Sequence, residues 1–345
     1  MNTRHQEEKM YNLKENKIRE KYLETINEYI ENQSKVCALN RKEILEKSQK
    51  ERRQRLIELL GKPLSDMPKS KKTKLISIEV IYSDEEKNVE LYTFEILNIR
   101  FSGWLIKKNN VVYSKNDKKS LVIALHGGGG SPELATGIYI NSSNYNQFAT
   151  RVLTNETVVF VPQLLLWNCD TFGNAFDREV LNRRLVQQGG SITALEISLL
   201  MACIDYFSEI EFIDENKIGV VGLSYGGMYT IYLSAIDERI KSAYSSCWFS
   251  DRTKYNWHDW TYKNAENEFL DVEVCSLILP RNLIIEVGKK DETFDYKLSK
   301  QQFELLKEYA KEVDGLDKLT TVVTEYSHEF NREDNYIKQF LDSLI

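Results

Sequence analysis

The chain has 345 residues, 42% hydrophobic and 28% charged, enough apolar material for a large core. A formal charge of −6 offers no basic field to nucleic acid or to an anionic membrane, and no apolar run is long enough to span a bilayer. Five scattered cysteines (Cys37, Cys169, Cys203, Cys247, Cys275) form no Cys-x-x-Cys pair, so neither a disulfide frame nor a zinc site is expected. With a charged N-terminus that lacks a signal-like apolar core, they suggest a cytoplasmic address.

Residues 1–62 read as a helical extension of two or three helices, free of glycine and proline until Gly61. Ile18, Tyr22, Ile26, Tyr29 and Ile30 fall at helical spacing, as do Leu56, Ile57, Leu59 and Leu60, and Gly61 with Pro63 stops the last helix. The extension is expected to pack on the main domain or on a partner, and is the candidate for holding protomers together. Between Arg41 and Arg55 seven basic residues oppose three glutamates, which reads as a solvated helix face in an acidic protein.

Residues 63–345 read as one domain. Segments 73–82, 89–97 and 100–106 predict an antiparallel meander with polar turns. Apolar strands then follow at 121–125, 157–161, 218–221, 241–246, 282–287 and 319–325. Helices are expected near 144–153, 191–207, 227–235, 296–310 and 335–344. This alternation predicts an α/β fold with a mostly parallel central sheet of about eight strands flanked by helices. Ligands in such a sheet bind beyond the carboxyl ends of the strands, so the residues after each strand carry the chemistry.

After 218–221 comes Gly222-Leu223-Ser224-Tyr225-Gly226, then another glycine and an apolar helix. A strand passing at once into a helix needs a sharp turn, and small flanking residues let the two approach. That arrangement lifts Ser224 above the sheet as a nucleophile elbow. The plainer alternative is a tight turn in which Ser224 caps the helix. After 121–125 comes His126 and four glycines, without the Gly-Lys-Ser/Thr ending of a phosphate loop. Beside an elbow serine this loop suits an oxyanion hole, built from the N–H of Tyr225 and that of Gly128 or Gly129, with His126 orienting the loop.

Asp291 follows 282–287 on a turn, and His328 follows the last strand. Serine is a weak nucleophile until an imidazole takes its proton, and a carboxylate holds that imidazole in the right tautomer. Ser224, Asp291 and His328 supply those groups in order along the chain. His258 is the competing base, and Glu286 and Asp295 are the competing acids.

Together with the stretches LLGKP, LHGGGG, FDREVLNRRL, DENKIGVVGLSYGG, LPRNLIIEVGKKD and YSHEF, these residues resemble the α/β-hydrolase superfamily. Within it they look like the dienelactone-hydrolase-like and acetyl-xylan-esterase-like serine hydrolases, from about residue 56 onward. The resemblance implies Ser224 as nucleophile, Asp291 as acid and His328 as base, with a backbone oxyanion hole and no metal or organic cofactor. Dienelactone hydrolases themselves use cysteine, which argues against their substrate. The Ser-Tyr-Gly-Gly run is also similar to prolyl-oligopeptidase-like peptidases, although no room exists for their propeller. The expected substrate is a small carboxylic ester. The rivals are a small peptidase or amidase with the same triad, and a non-catalytic binding protein of this fold. Trp167, Trp248, Trp257 and Trp260 lie in aromatic-rich segments that either line a substrate pocket or pack a lid. Arg178, Arg183 and Arg184 are expected in structural ion pairs rather than on an acidic substrate.

Overall fold

The computed structural model describes residues 13–67, 73–140, 144–255 and 257–344. Helix α1 (Leu13–Leu45) is 33 residues long, and α2 (Gln49–Leu60) follows a short break. Ser48 starts α2 with a capping box: its hydroxyl accepts from Glu51 N–H while the Glu51 carboxylate accepts from Ser48 N–H.

Strands β1 (Lys74–Ser83), β2 (Lys87–Ile96) and β3 (Ile99–Lys108) form the expected meander. Strands β4 (Lys119–Leu125) and β5 (Thr157–Pro162) follow, and both are buried from end to end. Helices α3 (Arg178–Gln187) and α4 (Ile192–Ser208) lead to β6 (Ile213–Leu223), α5 (Tyr225–Ile236) and β7 (Ile240–Ser246). The chain ends with β8 (Asn282–Gly288), α6 (Tyr296–Glu312), β9 (Leu319–Thr324) and α7 (Asn335–Asp342).

All nine strands join one sheet in the order β1-β2-β3-β5-β4-β6-β7-β8-β9, one more than the sequence count of about eight. The meander is antiparallel and meets β5 antiparallel; from β5 across to β9 every pairing is parallel. The chain steps from β4 outward to β5 and returns on the other side of β4 as β6. The strand order therefore reverses between the ends of β4 and β6, where such sheets open a crevice.

Strand β4 feeds both faces by alternation. Leu121, Ile123 and Leu125 join the core under α2, α4, α5 and α6, while Val122 and Ala124 join the core under α7.

Two expectations change at the N-terminal end. The basic stretch around α2 keeps the expected solvated face at Lys42, Lys47, Lys50 and Arg55, but Arg52 and Arg53 turn inward and are buried. Arg52 donates to Ser276 Oγ at 2.6 Å and to the Tyr309 hydroxyl, and Arg53 donates to Ala235 O at 2.7 Å. By contrast Ile18, Tyr22, Ile26, Tyr29 and Ile30 on α1 are exposed rather than packed on this chain's own domain. The helix expected over 144–153 shrinks to Phe148–Arg151, because Asn146 and Gln147 take positive φ and break the turn before it. No described helix is long and apolar enough to cross a membrane.

Candidate active site

Ser224 links β6 to α5 with φ 58° and ψ −121°, a conformation an L-residue holds only when its surroundings enforce it. Two close approaches enforce it here. A Cβ on Gly226 would lie 1.9 Å from Leu125 O, and one on Gly222 would lie 2.3 Å from Gly226 O. Helix and strand could not cross this tightly with larger residues. The capping alternative fails, since the Ser224 side chain makes no capping bond. Its backbone N–H instead donates to Ser246 O at 2.8 Å, tying the elbow to β7.

Asp291 and His328 come together from the ends of β8 and β9. His328 Nδ1 lies 2.8 Å from Asp291 Oδ2, while Asp291 Oδ1 accepts from the N–H groups of Thr293 at 2.7 Å and Phe294 at 3.1 Å. The Asp291 side chain is 1% exposed and that of His328 is 25% exposed, so the carboxylate is locked in place and the imidazole faces outward. His328 Nε2 has no partner among the described residues. The competitors are engaged elsewhere. Glu286 is buried within β8 and accepts from Tyr244, Ser246 and Asn331, and burial raises its pKa. Asp295 caps α6, and His258 is exposed on a short 3-10 turn.

The glycine loop lies directly against the elbow. A Cβ on Gly127 would sit 3.0 Å from Ser224 Cβ, and one on Gly128 would sit 3.2 Å from the Tyr225 ring. Gly129 N–H donates to Leu166 O at 2.7 Å and is thereby committed, whereas the N–H groups of Gly128 and Tyr225 have no acceptor among the described residues. Two side chains hold the loop. The Tyr145 hydroxyl accepts from Gly127 N–H at 3.0 Å. His126 Nε2 accepts from Leu164 N–H at 3.0 Å, which leaves its proton on Nδ1, 3.0 Å from Gly127 O. Burial lowers the His126 pKa to about 4, so this imidazole stays neutral and orients the loop.

The tryptophans divide. Trp248 is buried at 1% exposure and packs beneath Tyr225, with ring centroids 5.9 Å apart, so it supports the floor and does not line an open pocket. Trp257 is 44% exposed and stacks on the same ring at 5.9 Å. Trp260 is buried between Trp248 and Trp257. Trp167 is half-buried on the neighbouring loop, where its indole N–H donates to Gly173 O at 3.1 Å.

One buried cation fixes these parts relative to each other. Arg178 donates to Asp259 Oδ2 at 2.6 Å, to Glu196 at 3.0 Å and to Leu165 O at 2.8 Å, and the Tyr225 hydroxyl donates to the same Asp259 at 2.9 Å. Burial works against the charge on Arg178, but Tyr229, Glu196 and Asp259 outweigh it and hold its pKa raised. The loop bearing Trp167, the loop bearing Trp257 and the elbow tyrosine thus share one anchor. Arg178 is the structural ion pair that the sequence suggested.

Cys247 sits just past β7 with φ 51°, and its Sγ, the Asp291 carboxylate and the His328 imidazole offer ligand atoms within 4.8 Å of one another. Burial raises the thiol's pKa, and Sγ donates to Glu329 O at 3.3 Å. The group is a closed Asp–His pair beside a protonated thiol. Sequence reasoning missed Cys247, Tyr145, Asp259 and Glu196. Only Asp259 gave a signal, lying among Trp257, His258 and Trp260.

Residues 196–342, which contain Ser224, Asp291 and His328, match the sequence profile of the prolyl oligopeptidase family. Comparison of the sequence with curated proteins gave no match. Solved structures with the same architecture include a protein of Bacteroides fragilis provisionally assigned as an acetyl xylan esterase. It is 16% identical with a TM-score of 0.62, covering 80% of this chain and 74% of the other. A glucuronoyl esterase from Solibacter usitatus is 13% identical with a TM-score of 0.62, covering 87% and 92%. Acetyl xylan esterase 1 from Thermoanaerobacterium is 14% identical with a TM-score of 0.56, covering 86% and 93%. The chain has the α/β-hydrolase fold. Identities this low carry the fold alone. Within the α/β-hydrolase frame the meander β1–β3 flanks the parallel strands, and the elbow occupies the crevice where their order reverses.

Proposed function

We propose that this α/β-hydrolase is a serine esterase that cleaves a small carboxylic ester through an acyl-enzyme on Ser224. One observation carries the reading: a strained, uncapped serine stands at the same sheet edge as an imidazole held by a buried carboxylate. Ser224 Oγ attacks the ester carbonyl carbon while His328 Nε2 takes its proton, and Asp291 stabilises the imidazolium through Nδ1. The carbonyl oxygen becomes an oxyanion received by the N–H groups of Tyr225 and Gly128, with Gly129 excluded by its bond to Leu166. The C–O bond to the alcohol breaks, and His328 delivers the proton to the departing alkoxide. Water then attacks the acyl-enzyme, losing its proton to His328, and Ser224 leaves with that proton as the acid is released. The side chains and water suffice for this chemistry.

Two of the structural neighbours named above are an acetyl xylan esterase and a glucuronoyl esterase, and here the exposed face of Trp257 beside Tyr225 offers a flat apolar platform for an acyl or sugar ring. Trp167 lies beside the glycine loop, bridged through its backbone to Gly129. Five free thiols suit a reducing, cytoplasmic setting, and α1 supplies a surface for self-association.

The match to the prolyl oligopeptidase family favours a second reading, a small peptidase with the same triad. Turnover of p-nitrophenyl acetate against an aminoacyl anilide separates the two, with the acetate expected to be the faster substrate. A fluorophosphonate should add one label, on Ser224. A label on another serine, or equal labelling of Ser224→Ala, overturns the assignment.

A further inference from the structure

Strand β8 is buried on both faces, and Leu283, Ile284, Ile285 and Val287 are the apolar residues such a strand calls for. Glu286 breaks the run. It is 0% exposed, and a carboxylate there carries a desolvation cost that a valine would not, so burial gives no reason for it. Both of its oxygens are engaged. Oε2 accepts from the Tyr244 hydroxyl at 2.6 Å, and Oε1 accepts from the Ser246 hydroxyl at 2.9 Å and from Asn331 N–H at 3.1 Å. A backbone N–H can only donate, so Oε1 is an acceptor whichever way the hydroxyls turn.

The two partners of Oε1 belong to different parts of the triad. Ser246 ends β7, and its carbonyl receives the Ser224 N–H at 2.8 Å. Asn331 lies three residues past His328, on the turn that presents the imidazole. That turn sits tightly on the sheet: a Cβ on Gly288 would lie 2.3 Å from Ser327 O, and Cys247 Sγ donates to Glu329 O at 3.3 Å. One oxygen therefore joins the strand beneath the nucleophile to the turn beneath the base. Asp291 orients the ring through Nδ1 but makes no hydrogen bond to β7 among the described residues. Resting on the Ser224 acyl-enzyme reading above, we infer that Glu286 is a positioning residue: its Oε1 clamps Ser246 to Asn331 and so fixes how far His328 Nε2 stands from Ser224 Oγ. Proton transfer needs that separation close to a hydrogen-bond length, and a misplacement of about 1 Å costs roughly 10²-fold in rate.

Turnover of p-nitrophenyl acetate, counted per site labelled to completion by a fluorophosphonate, tests it. Counting by labelled sites removes misfolded molecules, so a purely structural role would leave turnover per site unchanged. Glu286→Leu should lose on the order of 10²-fold in kcat per site with KM nearly constant. Ser246→Ala takes away one arm of the clamp with little change in shape and should lose about tenfold. Glu286→Gln should keep most of the activity, because its amide oxygen can replace Oε1 while its NH₂ donates to the Tyr244 hydroxyl. Wild-type turnover per site in Glu286→Leu, or in Ser246→Ala where the leucine variant does not fold, overturns the clamp. A Glu286→Gln at least tenfold slow per site overturns it too, since charge rather than these bonds would then be what matters. A wild type that neither turns over the ester nor takes the label overturns the Ser224 reading instead.

Discussion

Replacing His328 with alanine removes the imidazole that Asp291 holds at 2.8 Å, and kcat should fall by about 10⁴–10⁶. His258→Ala should leave kcat largely intact, because that ring is exposed on a separate turn. Pre-steady-state and steady-state turnover of p-nitrophenyl acetate would check both, and a dead His258→Ala beside an active His328→Ala would reverse the assignment. His126 governs a different property. Its pKa is about 4 in the fold and near 6.5 when the chain unfolds, so between those values the unfolded state binds more protons. The stability it contributes is complete above pH 6.5 and is lost as pH falls toward 4, by at most about 3 kcal/mol. Urea midpoints across that range should drop, and His126→Gln should flatten the slope. The triad candidates are legible in the sequence because each follows its own strand. The choice between Gly128 and Gly129 is not, since four successive glycines look alike until Leu166 O claims one N–H.

Helix α5 and the loops over it behave as one assembly. Gly226→Ala would push a methyl group against Leu125 O and should force the elbow open, costing activity and several kcal/mol of stability, as strain at an enforced turn does. Arg178→Leu would strand Glu196 and Asp259 as buried carboxylates, with an expected loss of about 3–5 kcal/mol. Its urea midpoint should fall sharply, and kcat/KM should drop with it because both aromatic loops lose their anchor. Trp257→Ala should instead raise KM by about three- to tenfold with kcat nearly unchanged, since its outer face is the exposed one. The strands themselves were readable from runs such as LVIAL and TVVFVP, which are apolar without interruption. Strand β6 begins earlier than expected, at Ile213, because Asp214, Glu215 and Asn216 hide its first half from any hydrophobic reading. Arg178, Glu196 and Asp259 were legible only as charges; their burial is set by partners on other elements.

At the scale of the molecule, the N-terminal extension divides into two parts of opposite character. A chain lacking residues 1–33 should hydrolyse a small ester at the wild-type rate and melt within a few degrees of wild type, since residues 15–33 are exposed throughout. Removing residues through 60 should abolish soluble folded protein, because Leu56 and Leu60 belong to the main core and each such loss costs about 2–5 kcal/mol. Thermal melts and turnover of both variants would show it. The sequence marks this whole stretch as one charged helical block, and nothing local separates the free half from the embedded half. Arg52 and Arg53 are buried because Ser276, Tyr309 and Ala235 stand ready to receive them, which becomes visible only once the chain has folded back on itself.

That embedding has a consequence for synthesis. Helix α2 leaves the ribosome among the first elements, but its guanidinium groups bond to residues 182–257 positions further along. Until residues 235–309 have been made, two cations and two leucines destined for the interior must wait in water or in the hands of a chaperone. The growing chain can therefore lay down β1 to β6 while the helix that closes their core is still unattached. Completion should come as a late, cooperative step rather than by accretion from the N-terminus. Nascent chains stalled before residue 276 should stay protease-sensitive across α2, and protection there should appear only after α6 has emerged.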